Sequence, residues 1–228
     1  MDKQPLKISD KATLVFLGPP GSGKGTQAGM ISRELGIPRI APGDLGRAEI
    51  AKGTRLGLLI KPYYDGGYLA PVELVSGIIK KRLAKKDARR GSILDGYPRK
   101  MEQVSGLEKM TRLDVVVAIN ISDQEAVRRL AGRRVCGQCG INYHLRFNPP
   151  EKKGVCGQCG GKIWQREDDT PKVVRRRLKI YRRETEKVLE YFRKAGKLIE
   201  INGEQPIEKV RRDIGGKLKR RLRARGIN

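Results

Sequence analysis

The chain carries Gly18-Pro-Pro-Gly-Ser-Gly-Lys-Gly-Thr26, a nine-residue segment typical of a phosphate-binding loop. An apolar run, Ala12 to Leu17, precedes this segment, and the helical pattern of Gln27 to Leu35 follows it. In such a strand, loop and helix, the backbone N–H groups of the loop and the helix dipole face the phosphates. The alternative is a glycine-rich turn with an incidental lysine.

Each residue of this loop has an expected task. Lys24 would reach the β- and γ-phosphates of a nucleotide, and a hydroxyl group would support Mg²⁺. Gly25 stands where Ser or Thr is usual, so Thr26 would supply the hydroxyl one place later. The residues expected to bind ATP in this loop are Gly18, Gly21, Ser22, Gly23, Lys24, Gly25 and Thr26.

Apolar segments alternate with helical patterns along most of the 228 residues. This alternation predicts an α/β fold, a doubly wound parallel sheet of about five strands with ligands outside the carboxyl ends of the strands. We expect one domain with inserts rather than two small domains. The predicted strands are 12–17, 37–40, 92–94, 114–121 and 197–201, and the predicted helices are 25–35, 44–52, 71–87, 101–109, 123–133 and 171–195.

The charge of the chain is strongly one-sided, since 50 Lys and Arg face 25 Asp and Glu and leave a net charge of +25. Basic residues are densest in Lys80 to Arg90 and in Lys217 to Arg225. Solvated helix faces are one interpretation of this excess, and weak association with RNA or the ribosome is the other. The sequence leaves both open.

No segment has the character of a membrane span or a secretion signal. Met1 to Asp10 is polar and charged, and no later apolar run approaches the length of a bilayer-crossing helix. We therefore expect a cytoplasmic protein with no membrane partner. The oligomeric state is left open, because no heptad pattern or large apolar stripe stands out.

Four cysteines lie in a stretch with little helical pattern. Cys136-x₂-Cys139 and Cys156-x₂-Cys159, with sixteen residues between the pairs, have the spacing of a Cys₄ zinc site. Four thiolates complete the coordination of the metal, so this Zn²⁺ would be structural. Two disulfides are the alternative, which a cytosolic location disfavours. We interpret His144, the single histidine, as a packed or hydrogen-bonded residue.

Asp95 and a set of arginines complete the candidate site. Asp95 follows a predicted strand, where a phosphate-loop protein places a carboxylate facing Mg²⁺, and we expect it to hold a metal-bound water. Phosphoryl transfer depends mainly on positioning and charge stabilisation, so several arginines directed at one phosphate path have a clear use. The arginines at informative places are Arg47, Arg129, Arg133, Arg166 and Arg177.

From residue 12 to about 205 the chain resembles the adenylate kinase family. It is similar to the long form, in which a LID insert closes over the phosphate donor, and to the variant whose LID carries zinc. The reaction that the resemblance implies is ATP + AMP ⇌ 2 ADP with Mg²⁺. The motifs that carry it are Gly18 to Thr26, Pro42-Gly-Asp-Leu-Gly-Arg47, Asp95-Gly-Tyr-Pro-Arg99, Gln103, Gly132-Arg-Arg134, Tyr143 to Pro150 and Arg166-Glu-Asp-Asp169.

The resemblance also implies domains and roles. The core would comprise residues 1–40, 71–131 and 170–228, the NMP-binding insert 41–70 and the LID insert 132–169. The AMP site would include Pro42, Arg47, Tyr64, Arg99 and Gln103, with Arg47 and Arg99 on the phosphate and Gln103 on the base. Arg129 would stack on the donor base, and Arg133 would also contact ATP. Catalysis would rest on Lys24, Arg99, Arg133, Arg166 and Arg177, with Asp168 and Asp169 steadying the LID arginines.

The acceptor pocket departs from the family pattern. In the family, threonine and leucine are usual where this chain has Pro42 and Gly46, and smaller-ringed or branched aliphatic side chains are typical where it has Tyr64 and Ala70. Tyr64 would either stack on the acceptor base or pack between helices. The reshaped pocket leaves open a nucleoside monophosphate kinase with another acceptor base. The charge and the cysteine motif favour the other alternative, a phosphate-loop NTPase associated with RNA or the ribosome.

Two further expectations concern helices. Successive helical residues point about 100° apart, so at most two of Arg175, Arg176 and Arg177 can face the site. The resemblance selects Arg177, and we expect its neighbours to be exposed. The basic segment Lys217 to Arg225 is expected to be dispensable for turnover, although apolar residues spaced three or four apart from Ile207 onward favour an amphipathic helix there.

Overall fold

Five parallel strands form the centre of the fold. The computed structural model describes residues 12–223; the polar stretch Met1 to Asp10 and the end of the basic segment at 224–225 lie outside the described residues. The strands run in the order β2-β3-β1-β4-β8, as a doubly wound sheet requires, and confirm the predicted fold class. They are β1 Ala12–Leu17, β2 Arg39–Ile40, β3 Gly91–Asp95, β4 Val115–Asn120 and β8 Leu198–Asn202.

Side chains of β1 alternate between the two faces of the sheet, and each face has its own core. Leu14 and Phe16 pack in one cluster of buried residues, and Val15 and Leu17 pack in the other. All four side chains are at most 1% exposed. A strand buried on both faces reads as a continuous apolar run, which is why β1 could be predicted to the residue.

Helices cover both faces of the sheet. Most lie within a few residues of the predicted ranges, but the predicted helix 71–87 ends at Leu83 and is followed by a short 3₁₀ turn, Lys86–Arg90. Within residues 12–223, every helix is too short or too polar to cross a lipid bilayer. The helices are α1 Lys24–Leu35, α2 Pro42–Ala51, α3 Arg55–Asp65, α4 Val72–Leu83, α5 Met101–Met110, α6 Asp123–Ala131, α7 Pro171–Ile180, α8 Glu186–Lys194 and α9 Ile207–Arg223.

Helix α3 was not predicted from the sequence. Gly57 and Pro62 lie inside it and lower its intrinsic helix propensity. Tertiary packing outweighs this cost, because Gly57 lies against the backbone of Glu49 on α2, where a Cβ would overlap that carbonyl group. The Thr54 side chain also caps the helix by accepting a hydrogen bond from the Gly57 N–H at 3.0 Å. Helices α2 and α3 thus form a pair beside the carboxyl ends of the sheet.

A small antiparallel sheet contains the cysteines. Its strands are β5 Arg133–Cys136, β6 Asn142–His144 and β7 Ile163–Trp164, in the order β6-β5-β7. The helix predicted for 123–133 ends at Ala131, because Arg133 already belongs to β5. Arg133 and the cysteine Cys136 therefore share one short strand.

The long helix predicted at 171–195 is continuous but contains a π-helical segment, Tyr181–Thr185, between α7 and α8. Such segments occur frequently at functional sites. Here the buried Thr185 hydroxyl donates a hydrogen bond to the carbonyl oxygen of Arg99 at 3.2 Å. The π segment therefore supports the loop that carries a predicted catalytic arginine.

Candidate active site

The phosphate loop joins the carboxyl end of β1 to the N-terminus of α1. Gly18, Gly21 and Gly23 have φ angles of +151°, +83° and +82°, which favour glycine. Nζ of Lys24, the first residue of α1, donates to the carbonyl oxygen of Pro19 at 3.1 Å, so the side chain folds back over the loop. Gly25 follows Lys24 in α1, and the Thr26 side chain is exposed beyond it. The loop therefore has the shape expected of a phosphate cradle.

Several cations converge on this loop and disfavour one another's charge. Burial, and then the positive charge of Arg99, lowers the pKa of Lys24 to about 7. Burial first, with neighbouring arginines, lowers the pKa of Arg166 to about 9 and that of Arg177 to about 10. Burial also lowers the pKa of Arg99. A polyanionic ligand would relieve this mutual repulsion.

Two acidic residues that follow the small sheet, Asp168 and Asp169, bind two of the arginines predicted from the sequence. Nε of Arg133 donates to Oδ2 of Asp169 at 2.7 Å, and Nη1 of Arg177 donates to Oδ2 of Asp168 at 2.9 Å. Arg166 is 9% exposed, and its Nε has no hydrogen-bond partner within the described residues. The structure thus brings together the arginines that the sequence predicted, with donor capacity left for a ligand.

A pocket beside Arg99 contains three of the residues predicted for the acceptor site, Pro42, Arg99 and Gln103, but not Arg47 or Tyr64. The backbone N–H of Arg99 donates to Oε1 of Gln103 at 2.7 Å, and Nε of Arg99 donates to the carbonyl oxygen of Gly96 at 2.6 Å. The amide oxygen of Gln103 thus accepts one hydrogen bond from the backbone, and its NH₂ group can donate to a base. The pocket is lined by Pro42, Gly43, Leu69, Ala70, Val75, Gly96, Tyr97, Arg99 and Gln103.

Tyr64 packs against the residues that depart from the family pattern. Its hydroxyl donates to the carbonyl oxygen of Pro42 at 3.1 Å. A Cβ on Gly46 would lie 2.8 Å from the Tyr64 ring carbon that bears the hydroxyl, so Gly46 provides the space that this ring fills. The guanidinium carbon of Arg47 lies 6.0 Å from the ring centroid. These contacts favour the packing interpretation of Tyr64 over base stacking.

Arg129 lies on α6, the helix whose residues Ala126 and Leu130 lie against Gly21 of the phosphate loop. Its Nε donates to Oε1 of Glu125 at 2.6 Å and its Nη2 to the carbonyl oxygen of Gly203 at 2.9 Å. The guanidinium carbon lies 5.9 Å from the centre of the Phe147 ring. Arg129 is thus held next to an aromatic ring of the small sheet region, as a flat group on which a base could stack.

Asp95 lies next to the phosphate loop because β3 is the neighbour of β1, with Asp95 paired to Phe16. Its carboxylate is 6% exposed, and Oδ2 accepts from Nε of Arg39 at 2.8 Å. A carboxylate oxygen and a hydroxyl such as that of Thr26 are hard oxygen ligands of the type that Mg²⁺ prefers. Oδ1 of Asp95 takes part in none of the hydrogen bonds within the described residues, so this donor set fits Mg²⁺ held directly or through water.

The four cysteines form a second cluster, in the small sheet. Their sulfur atoms all lie within 4.8 Å of one another, and none of the four forms a disulfide. The Gln138 N–H points at the sulfur of Cys136 at 3.4 Å, and the Tyr143 hydroxyl lies 3.3 Å from the sulfur of Cys156. Four converging thiols fit a structural metal ion better than two disulfides.

His144 lies outside the cysteine cluster. Its Nδ1 accepts from the backbone N–H groups of Arg146 and Phe147 at 3.0 and 3.2 Å, in agreement with the structural interpretation. Arg176, which was expected to be exposed, is half-buried. That expectation was wrong, because Nη1 of Arg176 donates to the carbonyl oxygen of Gly66 at 2.7 Å and its guanidinium stacks on Tyr68 at 4.7 Å.

Comparison with known proteins agrees with this geometry. The family model described as "Adenylate kinase" matches residues 16–197. The chain is 46% identical over 205 residues to the adenylate kinase of Methanocella arvoryzae, covering 88% of this chain and 95% of the relative. Identity is 44% over 206 residues to that of Archaeoglobus fulgidus and 47% over 206 residues to that of a Geobacillus species, with the same coverage.

The chain belongs to the adenylate kinase family. As an adenylate kinase it is a phosphotransferase, and it converts ATP and AMP into two ADP. The alternative of an NTPase associated with RNA or the ribosome is not favoured by these relatives.

Two residues that contact this adenylate kinase site were not singled out from the sequence. Arg39 binds Asp95, and Thr185 supports Arg99 from the π segment. Neither lies in a motif, and each acts through a partner at least 56 residues away in sequence. Only the pairing of β2 with β3 and the register of the long helix bring these partners together.

Proposed function

We propose that the converging cations transfer the γ-phosphoryl group of ATP to the α-phosphate of AMP within this pocket. An oxygen of the AMP phosphate forms a bond to the γ-phosphorus, and the bond from that phosphorus to the β,γ-bridging oxygen breaks, which leaves two ADP. The observation that supports this most is the cluster of Lys24, Arg99, Arg166 and Arg177, whose pKa values are all lowered by burial.

Each cation has a separate task in this proposal. Lys24 and the loop N–H groups hold the β- and γ-phosphates, and Arg47 and Arg99 align the acceptor phosphate. Arg133, Arg166 and Arg177 neutralise charge on the transferring group, with Asp168 and Asp169 fixing two of them. Positioned charges of this kind typically account for a large part of phosphoryl-transfer catalysis.

Two metals belong to the proposal. Mg²⁺ would be held with the aid of Thr26 and Asp95, and it would neutralise charge on the β- and γ-phosphates. Zn²⁺ would be held by Cys136, Cys139 and their two partners Cys156 and Cys159, and it would stabilise the small sheet.

The remaining assignments from the sequence also stay predictions. They are the division into core, NMP insert at 41–70 and LID at 132–169, and the cytoplasmic location. Weak association with RNA stays one of the two interpretations of the positive charge. The oligomeric state is left open. Donor choice should be loose, because a guanidinium such as Arg129 stacks on any base.

Acceptor choice follows from the free NH₂ group of Gln103. This group can donate to N1 of adenine, which accepts a hydrogen bond, but not to N1 of guanine or N3 of uracil, which carry a hydrogen. A donor facing a donor leaves buried polar groups unpaired, which is strongly disfavoured. AMP should therefore exceed GMP and UMP in kcat/KM. The family resemblance, and not this hydrogen bond, places AMP above CMP as well, because N3 of cytosine is also an acceptor.

A coupled assay of ADP formation from ATP, with and without AMP, tests the proposal. Lys24→Ala and Arg99→Ala should each lower kcat/KM by about 100-fold or more without unfolding the protein. Arg82→Gln is the matched control, because Arg82 forms an ion pair with Asp87 at the end of α4. IMP, a purine with a hydrogen on N1, tests the acceptor argument. Near-normal turnover of either alanine variant, or IMP as good as AMP, would overturn the assignment.

A further inference from the structure

Arg39, on the short edge strand β2, binds two carboxylates at once. Its Nε and Nη2 both donate to Oδ2 of Asp95, and Nη2 also donates to Oδ2 of Asp44 at 2.9 Å. Asp95 ends β3 in the core sheet, whereas Asp44 lies in the first turn of α2. One guanidinium group thus joins the end of the central sheet to the start of the acceptor-side helices.

The phosphate loop leaves room for this group. A Cβ on Gly25 would lie 3.0 Å from Oδ2 of Asp95 and 3.2 Å from Nη2 of Arg39. A larger side chain at position 25 would crowd both partners, although Ser or Thr is usual there in phosphate loops. Because Gly25 has no side chain, the Arg39 guanidinium can lie next to it and still reach Asp95.

The second carboxylate connects Arg39 to the proposed acceptor-phosphate site. Oδ1 of Asp44 accepts from Nη2 of Arg47 at 2.8 Å, while Oδ2 is occupied by Arg39. Although burial opposes it, the charges of Arg39 and Arg47 hold the pKa of Asp44 below its ordinary value. Asp44 is therefore an anion that orients Arg47, and Arg39 orients Asp44.

We propose that Arg39 is a positioning residue for the acceptor phosphate, holding Asp44 and thereby Arg47 in place against the end of β3. The proposal rests on the proposed role of Arg47 in binding the phosphate of AMP. Arg39 itself makes no contact with the phosphate in this role.

Loss of Arg39 should weaken AMP binding for two reasons that act in the same direction. Asp44, which also lies 3.8 Å from Nη2 of Arg166, would lose one of its three cationic partners and pair more fully with Arg47, in competition with the phosphate. The start of α2 would also lose a charge-assisted tether to the sheet.

The test is calorimetric titration of the full-length protein with AMP alone, in the absence of ATP and Mg²⁺, and separately with ATP alone. Arg39→Gln should raise the Kd for AMP about tenfold, as for loss of a charge-assisted hydrogen bond that orients a binding group, and should change the Kd for ATP by less than about twofold. Arg39→Lys, which keeps the charge without the planar fork, should raise the Kd for AMP about threefold. Arg82→Gln, the matched control, should change neither.

The outcomes separate this proposal from the proposed function. If the wild type does not bind AMP, or if Arg47→Ala binds AMP as well as the wild type, the proposed function of the site fails. If those two results are as expected but Arg39→Gln leaves the AMP Kd unchanged, the role of Arg39 fails. Wild-type affinity in Arg39→Lys would also overturn it, because a charge alone would then suffice. That variant answers the question even if Arg39→Gln does not fold.

Discussion

The Lys24 ammonium lies where its charge is disfavoured until phosphate is bound. Its pKa of about 7 compares with an ordinary value of 10.5, and burial is the largest cause. Between these two pH values the unfolded chain holds a proton that the folded chain has lost. The unliganded protein should therefore gain stability as the pH rises from about 7 toward 10.5.

The same shift predicts proton uptake when ATP binds. At about pH 8 most of the free protein has a neutral Lys24, and the phosphates should return it to the ammonium form, so that close to one proton is taken up. Calorimetry in buffers with different ionisation enthalpies measures this number. Lys24→Met is the control and should show none of this uptake. A binding heat that does not depend on the buffer in the wild type would contradict the prediction.

Gly46 and Tyr64 can be tested together, because the Tyr64 ring occupies the space that a side chain at position 46 would need. Gly46→Leu should lower the free energy of unfolding by about 1–3 kcal/mol, since the new side chain overlaps the Tyr64 ring. Adding Tyr64→Leu should restore part of this loss, so the two changes should be non-additive. Urea denaturation of both single variants and the double variant measures the coupling. Strict additivity would show that the two sites are independent.

At the residue scale, motif residues could be placed from sequence and their partners could not. The sequence located Lys24, Asp95 and Arg99, because each stands in a segment with a fixed relation to a strand end. It did not indicate that Arg39 would form an ion pair with Asp95, since that contact depends on which strand pairs with β3. The hydrogen bond from the Arg99 backbone to the amide oxygen of Gln103 likewise depends on local geometry that no spacing pattern shows.

At the element scale, the small sheet joins the four cysteines to two of the proposed catalytic arginines. Strand β5 begins with Arg133 and ends with Cys136, and Arg166 follows β7 by two residues. Both proposed catalytic arginines of the LID are therefore held by the elements that the cysteines tie together. The spacing of the cysteines could be recognised in the sequence. The strands could not, because each strand is only two to four residues long and too short to show a periodic pattern.

Removal of zinc should thus lower turnover without removing a catalytic group. We expect one Zn²⁺ per chain by metal analysis, and chelation should lower both Tm and kcat because Arg133 and Arg166 lose their support. Binding of AMP alone should change by less than about twofold, since its site lies in other elements. Titration of free thiols in denaturant distinguishes the alternative. Absence of zinc together with absence of free thiols would establish disulfides instead.

At the scale of the whole molecule, part of the excess positive charge lies on the C-terminal helix α9, which also has an apolar side. Helix α9 buries Ile214, Leu218 and Leu222 in the core on one face of the sheet, with at most 2% of each side chain exposed. The apolar side of the segment from Lys217 onward therefore contributes to stability, and the dispensability of the segment for turnover stays a prediction. The exposed basic residues Lys209, Arg212 and Arg220 lie on the same helix.

The two faces of α9 should consequently separate stability from charge. Leu218→Ala should lower the free energy of unfolding by about 2–5 kcal/mol, because it leaves a cavity in the core. Replacing Lys209, Arg212 and Arg220 by Gln should change stability by less than about 0.5 kcal/mol per site and leave kcat/KM unchanged. Denaturant unfolding and the coupled assay measure both effects. If α9 contributes to the predicted RNA association, the triple variant should also bind RNA more weakly and with a shallower salt dependence, because it releases fewer counterions. Loss of kinase activity in the folded triple variant would show that the basic face takes part in catalysis and is not merely solvated.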